Sequence, residues 1–353
     1  MRRQESTRGV ALLAVLWLAT SLSAMALATS YLVRTEVEAA TNRIEGEQMR
    51  FLARGALDAA VHSILGSTVL RPAAASTSGV AGAEQRPEFV SGQRWLAYEF
   101  PGGRCAVEVV PENAKLNVNQ APAEQLAALF RALGVEAVES AELAQAIEDW
   151  RSPRLSDVGN LFDAYYAALP QPYRARRAPL EQIEELLPVR GMTRELLFGR
   201  IERSEDGAWA RKPPLADLLT TAPTGGGVNL NYASREVLEA LPGWNTAAAL
   251  RVVQLREATP LATPLGLENV VPRNSGASLT TAASTAYTLT ATCEHPEWGA
   301  RRSVRAIVEI DPTFAASLPQ GYQVSAWWED WPYANEVSEA VVQAWRSAGG
   351  SRG

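Results

Sequence analysis

Apolar positions run without a charged interruption from Val10 to Val33, behind a short basic leader, MRRQESTRG. At ~1.5 Å per residue this stretch forms a helix about 36 Å long, enough to cross a hydrocarbon core of about 30 Å. Beyond it the pattern changes period without breaking. Phe51, Ala53, Leu57, Ala60, Val61, Ile64 and Leu65 recur at helical spacing, and Gly66 is a stop. The pattern predicts one helix over 10–66, apolar on all sides across 10–33 and amphipathic afterwards.

Residues 71–87, RPAAASTSGVAGAEQRP, are predicted to be a flexible loop. Alternating runs then predict strands at WLAYEF (95–100) and RCAVEVVP (104–111). A helical region over roughly 113–270 follows, broken by Pro, by Gly and by APTGGG at 222–227. Strand patterns return in AYTLTATCEH, RRSVRAIVEI and YQVSAWWED. A helical block flanked by strands predicts an α+β fold with an insertion in a sheet. The expected segments are a leader at 1–9, the helix at 10–66, a first sheet part at 67–112, an inserted α-helical domain at 113–280, and a second sheet part with the C-terminal tail at 281–353.

The helical block echoes itself. ENAKLNVNQAPAEQLAALFRALGV and GGGVNLNYASREVLEALPGWNTAAALRVVQLR each hold an x-N-x-N turn and then an amphipathic helix. Asn119 and Asn231 are expected to hold that turn or cap the helix, and Ala121-Pro122 to open the first one. The second copy resembles a helix-hairpin-helix with LPGW as its hairpin. Such modules hold phosphates with backbone amides and nearby Lys or Arg. Here Pro242-Gly243-Trp244-Asn245-Thr246 lacks a second glycine and the lysines. From Glu112 to Asp149 seven acidic residues stand against Lys115 and Arg131, a balance that repels a phosphate backbone. The expectation is a structural role for the hairpins and no nucleic acid.

Gly9 precedes the apolar run, on the basic side. A cut between Gly9 and Val10 removes Arg2, Arg3 and Arg8 and keeps the helix. This leader resembles that of type IV prepilins, which prepilin peptidase cleaves before N-methylation of the new first residue, here Val10. Taken alone, the segment also reads as a plain signal-anchor with a positive flank.

With these segments in order, the chain resembles the K-type minor pseudopilins of the type II secretion system, the general secretion pathway protein K family, over nearly its full length. The resemblance rests on the leader, ARGALDAA, ENAKLNVNQAP, AIEDWR (146–151), PYRARRAPLEQIEELLPVRGMTRELL (172–197) and VNLNYASREVLEALPGW (228–244). It implies a pilin-like fold: a long N-terminal helix on a small antiparallel sheet, with a large inserted all-α domain containing helix-hairpin-helix-like elements. It implies a single-pass inner-membrane protein with a cytoplasmic N-terminus and a periplasmic domain, placed at the pseudopilus tip after processing. The implied partners are the I-type and J-type minor pseudopilins and prepilin peptidase, with the major pseudopilin and exported substrates as further candidates. The implied role is to cap the pseudopilus and to initiate or limit its assembly for protein export. The alternatives are a pilin-like DNA-uptake component using the hairpins and an ordinary anchored periplasmic adaptor.

Ala14 becomes the fifth mature residue, where most pilin-like proteins carry Glu. An unpaired charge at membrane depth costs ~2.5–3.5 kcal/mol on insertion scales, and a tip subunit has no neighbour above to pair it. Ala14 therefore suits a capping position.

Composition narrows the chemistry. The 353 residues carry a net charge of -6, which argues against a large phosphate-binding surface. The two cysteines, Cys105 and Cys293, sit in strand-like runs. In an oxidising periplasm they could form a disulfide, and two separate buried thiols is the other reading. His62 and His295 are the only histidines, too few for a His-rich metal site, and no phosphate loop or serine elbow is present. An enzyme is not expected, and Asp149, Asp157 and Asp163 are expected to be solvated loop residues. No cofactor is required. Calcium, which some members of the family bind, needs six to eight oxygens. The segment after DWR offers Asp157 and Asn160 without an acidic run, and Glu294, Glu297, Asp311, Glu329 and Asp330 are other candidates, so no ligand is assigned. Trp327, Trp328 and Trp331 cluster near Tyr333 and Trp345. They read either as cover for the sheet or helix or as a partner surface.

Overall fold

A computed structural model describes residues 7–68, 89–153, 161–199, 201–203, 209–211, 213–225, 227–264, 267, 270–272, 275–282, 284–296, 299–310, 318 and 320–331. The loop expected at 71–87, Asp157, Asn160, Glu297, Asp311, Tyr333 and Trp345 lie outside the described residues.

Helix α1 (Thr7–Thr68) is continuous through both halves of the apolar pattern. Its second half buries Met49, Ala53, Ala56, Leu57, Ala60, Val61 and Ile64. Phe51, expected on that face, is instead 65% exposed. At ~100° per residue it lies about 200° from Ala53, on the opposite side of the helix.

Strands β1 (Trp95–Phe100) and β2 (Gly103–Pro111) form a hairpin. Helix α1 comes close to the start of β2: a Cβ on Gly103 would stand 2.6 Å from Leu52 Cδ1, so a larger residue there would make the Leu52 side chain shift. After β2 the chain leaves the sheet. It passes through β3 (Leu116–Asn117), α2 (Ala123–Ala132), α3 (Ala137–Arg151), α4 (Leu161–Ala167) and α5 (Arg194–Phe198). Then come β4 (Ile201–Arg203), β5 (Trp209–Arg211), β6 (Leu219–Thr220), β7 (Val228–Asn229), α6 (Arg235–Glu239), α7 (Thr246–Ala258) and β8 (Leu279–Thr280). It re-enters as β9 (Ala286–Glu294) beside β2, and β10 (Arg301–Glu309) and β11 (Gln323–Trp328) complete the sheet. The five strands are antiparallel in the order β1-β2-β9-β10-β11. The architecture is α+β and pilin-like, a long helix on an antiparallel sheet. The inserted block is not wholly α-helical. It contains three two-stranded pairings, β3–β6 and β7–β8 parallel and β4–β5 antiparallel.

Alternation sorts the sheet's two faces. Cys105, Val107, Val109, Tyr287, Leu289, Ala291, Val304, Ala306 and Val308 share one core with α1. The opposite face carries Thr288, Thr290, Thr292, Ser303 and Arg305, all buried. The inserted block has a second core around Leu126, Leu129, Phe130, Ile147, Trp150, Tyr166, Leu186, Leu197 and Leu238.

A disulfide closes the sheet across the strands that flank the insertion, and two polar clusters tie the insertion to the sheet. Cys105 and Cys293 face each other across β2–β9 and form a disulfide, with Cα atoms 4.1 Å apart. Where the chain leaves β2, Lys115 Nζ lies 2.6 Å from Glu112 Oε1 and donates to Thr288 Oγ1 at 2.5 Å. The Thr288 hydroxyl donates to the same Glu112 oxygen. Asp217 of the insertion pairs with Arg305 of β10, whose guanidinium lies over the Trp331 ring at 4.4 Å. Trp328 packs against the insertion's core and Trp331 belongs to it, while Trp327 is 37% exposed.

Burial acts to raise the Glu112 pKa, but the Lys115 charge and hydrogen bonds from Lys115, Thr220 and Thr288 hold it below the ordinary value of 4.5. A carboxyl held below its unfolded value stabilises the fold at higher pH, and that contribution is lost as the pH falls through and below this range. Thermal melts of the full chain in detergent are therefore expected to show stability falling below about pH 4.5, with the Glu112 part absent from Glu112→Gln. Lys115→Met alone is expected to cost about 3–5 kcal/mol, because it strands a buried carboxylate. Reduction, or Cys105→Ser with Cys293→Ser, removes a link spanning 188 residues, worth up to roughly 5 kcal/mol by loop-closure entropy. An unchanged melting temperature after complete reduction contradicts this role.

Candidate functional site

The surfaces that distinguish this chain are its N-terminal helix and its insertion. From Val10 to Val33 every α1 residue is exposed, and none is buried against another element among the described residues. Helix α1 begins at Thr7, so Gly9 and Val10 lie in its first turns, and Ala14 follows one turn on. Beyond the apolar segment Val37, Ile44 and Phe51 are 58%, 59% and 65% exposed. Their seven-residue spacing places them in one stripe, opposite the face that meets the sheet.

The insertion is built from the same clamp twice. In the first copy Asn117 Oδ1 accepts from the Asn119 amide, which sets the turn, and Asn117 Nδ2 donates to Ala222 O. The Asn119 side chain exchanges two hydrogen bonds with the Leu180 backbone, at 2.9 and 2.8 Å. Arg151, at the end of α3, donates to the carbonyls of Val118 and Ala121. In the second copy Asn229 sets the turn by accepting from the Asn231 amide and donates to Ala282 O. Asn231 exchanges bonds with the Leu261 backbone at 2.9 and 2.8 Å. Arg256, in the last turn of α7, donates to Leu230 O and Ala233 O. Burial, with the Arg94 charge, pushes the Arg256 guanidinium down to about 10, still protonated at neutral pH.

Each clamp closes on an LTTA segment, 219–222 and 279–282, whose strand pairs in parallel with the Asn-bearing strand. Thr220 and Thr280 each accept from the amide two residues on. Asn119 and Asn231 thus do not cap helices. Pro122 precedes α2 without a side-chain cap, and Ser234 caps α6.

The two hairpins follow these turns. Helices α2 and α3 enclose Leu133–Glu136, and α6 and α7 enclose Ala240–Asn245. Asn245 caps α7, and Trp244 is buried with Nε1 donating to Ser275 Oγ. The first hairpin presents Glu136, Glu139 and Glu142, which disfavours phosphate there.

The other candidates are taken up in structure. Asp149 and Asp163, expected to be solvated, are bridged by Arg177 at 2.6 and 2.8 Å. Arg177 has a φ of 58°, a conformation its ion pairs hold. His62 contacts the Asp58 carbonyl and stacks edge-on to Tyr322. Glu329 is bonded by Arg50 and Arg54, and Asp330 lies 3.8 Å from Arg50 and 4.0 Å from Arg302. Arginine partners are the wrong surroundings for a calcium ligand set. The described residues hold no cluster of three or more His, Cys, Asp or Glu groups fit for a metal.

Residues 106–198 match the family model for type II secretion system (T2SS), protein K. This part of the chain resembles protein K. It begins inside β2 of the sheet and ends with α5, taking in the first clamp and the first hairpin. A solved structure described as the GspK-GspI-GspJ complex from the enterotoxigenic Escherichia coli Type 2 Secretion System is also similar. The identity is 20% and the TM-score 0.49, over 83% of this chain and 98% of that one. Curated proteins gave no match.

Asn119→Ala and Asn231→Ala each leave a backbone N–H and a C=O without their partner. Each is expected to cost about 1–3 kcal/mol, and the two effects to add within a few tenths because they lie in separate clamps. Melting of the single and double variants checks this, and a neutral Asn231→Ala contradicts the equivalence of the copies.

Proposed function

We propose that this chain is a K-type minor pseudopilin that caps the tip of a type II secretion pseudopilus. The observation that carries the reading is the place of the stretch that matches the protein K model: it starts in a strand of the antiparallel sheet and runs directly into the insertion. The exposed apolar half of α1 supports an inner-membrane anchor, and the basic leader ahead of it supports a cytoplasmic N-terminus with the folded domain in the periplasm. Prepilin peptidase would cut between Gly9 and Val10, with N-methylation of Val10.

In an assembled pseudopilus, α1 packs against neighbouring helices through Val10–Val33 and the Val37–Ile44–Phe51 stripe. The segment Val10–Val33 carries no carboxylate, Ala14 included, so the helix brings nothing that needs a charged partner from a subunit above. The insertion, residues 112–285, supplies a bulky head that suits the end of a filament better than its shaft. The partners proposed are the I-type and J-type minor pseudopilins, as in the complex named above. The action is assembly by helix packing and interface burial, not chemistry.

The full chain, purified in detergent, is expected to co-elute with the I-type and J-type proteins of the same organism in size-exclusion chromatography. Separate elution of folded partners overturns the tip reading. Gly9→Leu is expected to abolish cleavage by prepilin peptidase, read as a retained leader by mass spectrometry. Normal processing of that variant refutes the leader assignment.

A further inference from the structure

The α2–α3 turn and α5 enclose a cleft of about 650 Å³, a volume in the range of ligand sites. Its floor is apolar, from Leu133, Val135, Leu143 and Leu196. Its rim carries Glu136, Glu139, Glu142 and Glu195, opposed by Arg190. Gly134, at φ 86°, turns the chain between the helices. Glu136 then starts α3, and its carboxylate accepts from the Val138 and Glu139 amides. Arg190 is only loosely engaged with the rim, 3.9 Å from Glu142, and lies over the Tyr165 ring at 5.1 Å. No described residue pairs with the side chains of Glu139 or Glu195. Val138, beside the rim, is 64% exposed. A cleft with an apolar floor and an excess of carboxylates is complementary to an apolar side chain flanked by Lys or Arg. Among the described residues the main contacts of α1 are to the sheet and not to the elements that build the cleft, so an occupant leaves the filament-forming helix free.

We infer that this cleft docks a basic polypeptide segment carrying an apolar anchor, from a protein other than those that pack along α1. Anchor burial on Leu133, Val135 and Leu196 supplies affinity. The glutamates steer the segment in and select it over acidic sequences.

The test uses the full chain in detergent and a fluorescein-labelled hexapeptide, two leucines between paired lysines and arginines. Its counterpart replaces every basic residue with glutamate. Fluorescence anisotropy is expected to show saturable binding of the basic peptide only, weakening as salt rises. The variant Glu139→Lys with Glu142→Lys is expected to bind it about tenfold or more weakly, since two attractions become repulsions at partly exposed sites. The control Glu99→Lys with Glu257→Lys makes the same change of net charge on exposed positions elsewhere, and is expected to bind as the parent does. Equal loss in both variants, or binding of the acidic peptide, overturns the site and leaves only attraction to a chain of net charge -6. Peptide binding needs no other pseudopilin, so this result and the co-elution result fail independently.

Discussion

Glu112 and Lys115 stand where the chain leaves strand β2, both fully enclosed, and much of the molecule is arranged to keep them paired. Thr288 of β9 binds both members, so the outgoing end of the insertion is held to the strand by which the chain returns. Such a pair adds little by its own attraction once desolvation is counted, but a slip that separates its members is expensive. It therefore acts chiefly on register. Cys105–Cys293 holds the same seam farther along the β2–β9 ladder. Asp217, Arg305 and Trp331 then bind the insertion to the polar face of the sheet.

That polar face explains how the two cores coexist. One side of the sheet is sealed by α1 through small and branched residues, which allow close approach. The other side carries hydroxyls, the Glu108 carboxylate and Arg305, which could not be left dry without partners. Thr292 and Ser303 bond each other across the strands, and Arg305 is met by the insertion. The insertion's own apolar residues turn inward instead, around Phe130, Tyr166 and Leu186. Helix, sheet and insertion are thus layered by polarity: apolar against apolar on one side, charge matched to charge on the other.

Long periodic segments were legible in the sequence, since strand alternation and the apolar helix repeat over many residues. The five strands of the sheet fall where alternation places them. Phe51 was misplaced because an apolar residue near an amphipathic run is easily counted into it, although its angle puts it on the far side. The two-residue strands β3, β6, β7 and β8 are too short for any period to show, so the block read as purely helical. The repeated LTTA at 219–222 and 279–282 was a signal in plain view, but its meaning depends on pairing with strands more than fifty residues away in one copy and a hundred in the other. Asn119 and Asn231 sit next to helices and look like caps, whereas their partners are Leu180 and Leu261. Arg177 bridges Asp149 and Asp163 from 28 and 14 positions away, a relation that no local pattern encodes.

The paired clamps have a consequence for how such an insertion can diverge. Between the arginine and the leucine that each clamp joins, the first copy runs from Arg151 to Leu180 and includes α4, while the second passes from Arg256 to Leu261 almost directly. Both arrive at the same hydrogen bonds. Lengthening a loop raises its closure entropy only logarithmically, so the excursion can grow or shrink while its fixed points stay put. The clamp behaves as a socket with a standard fitting, and novelty accumulates in whatever is strung between its contacts.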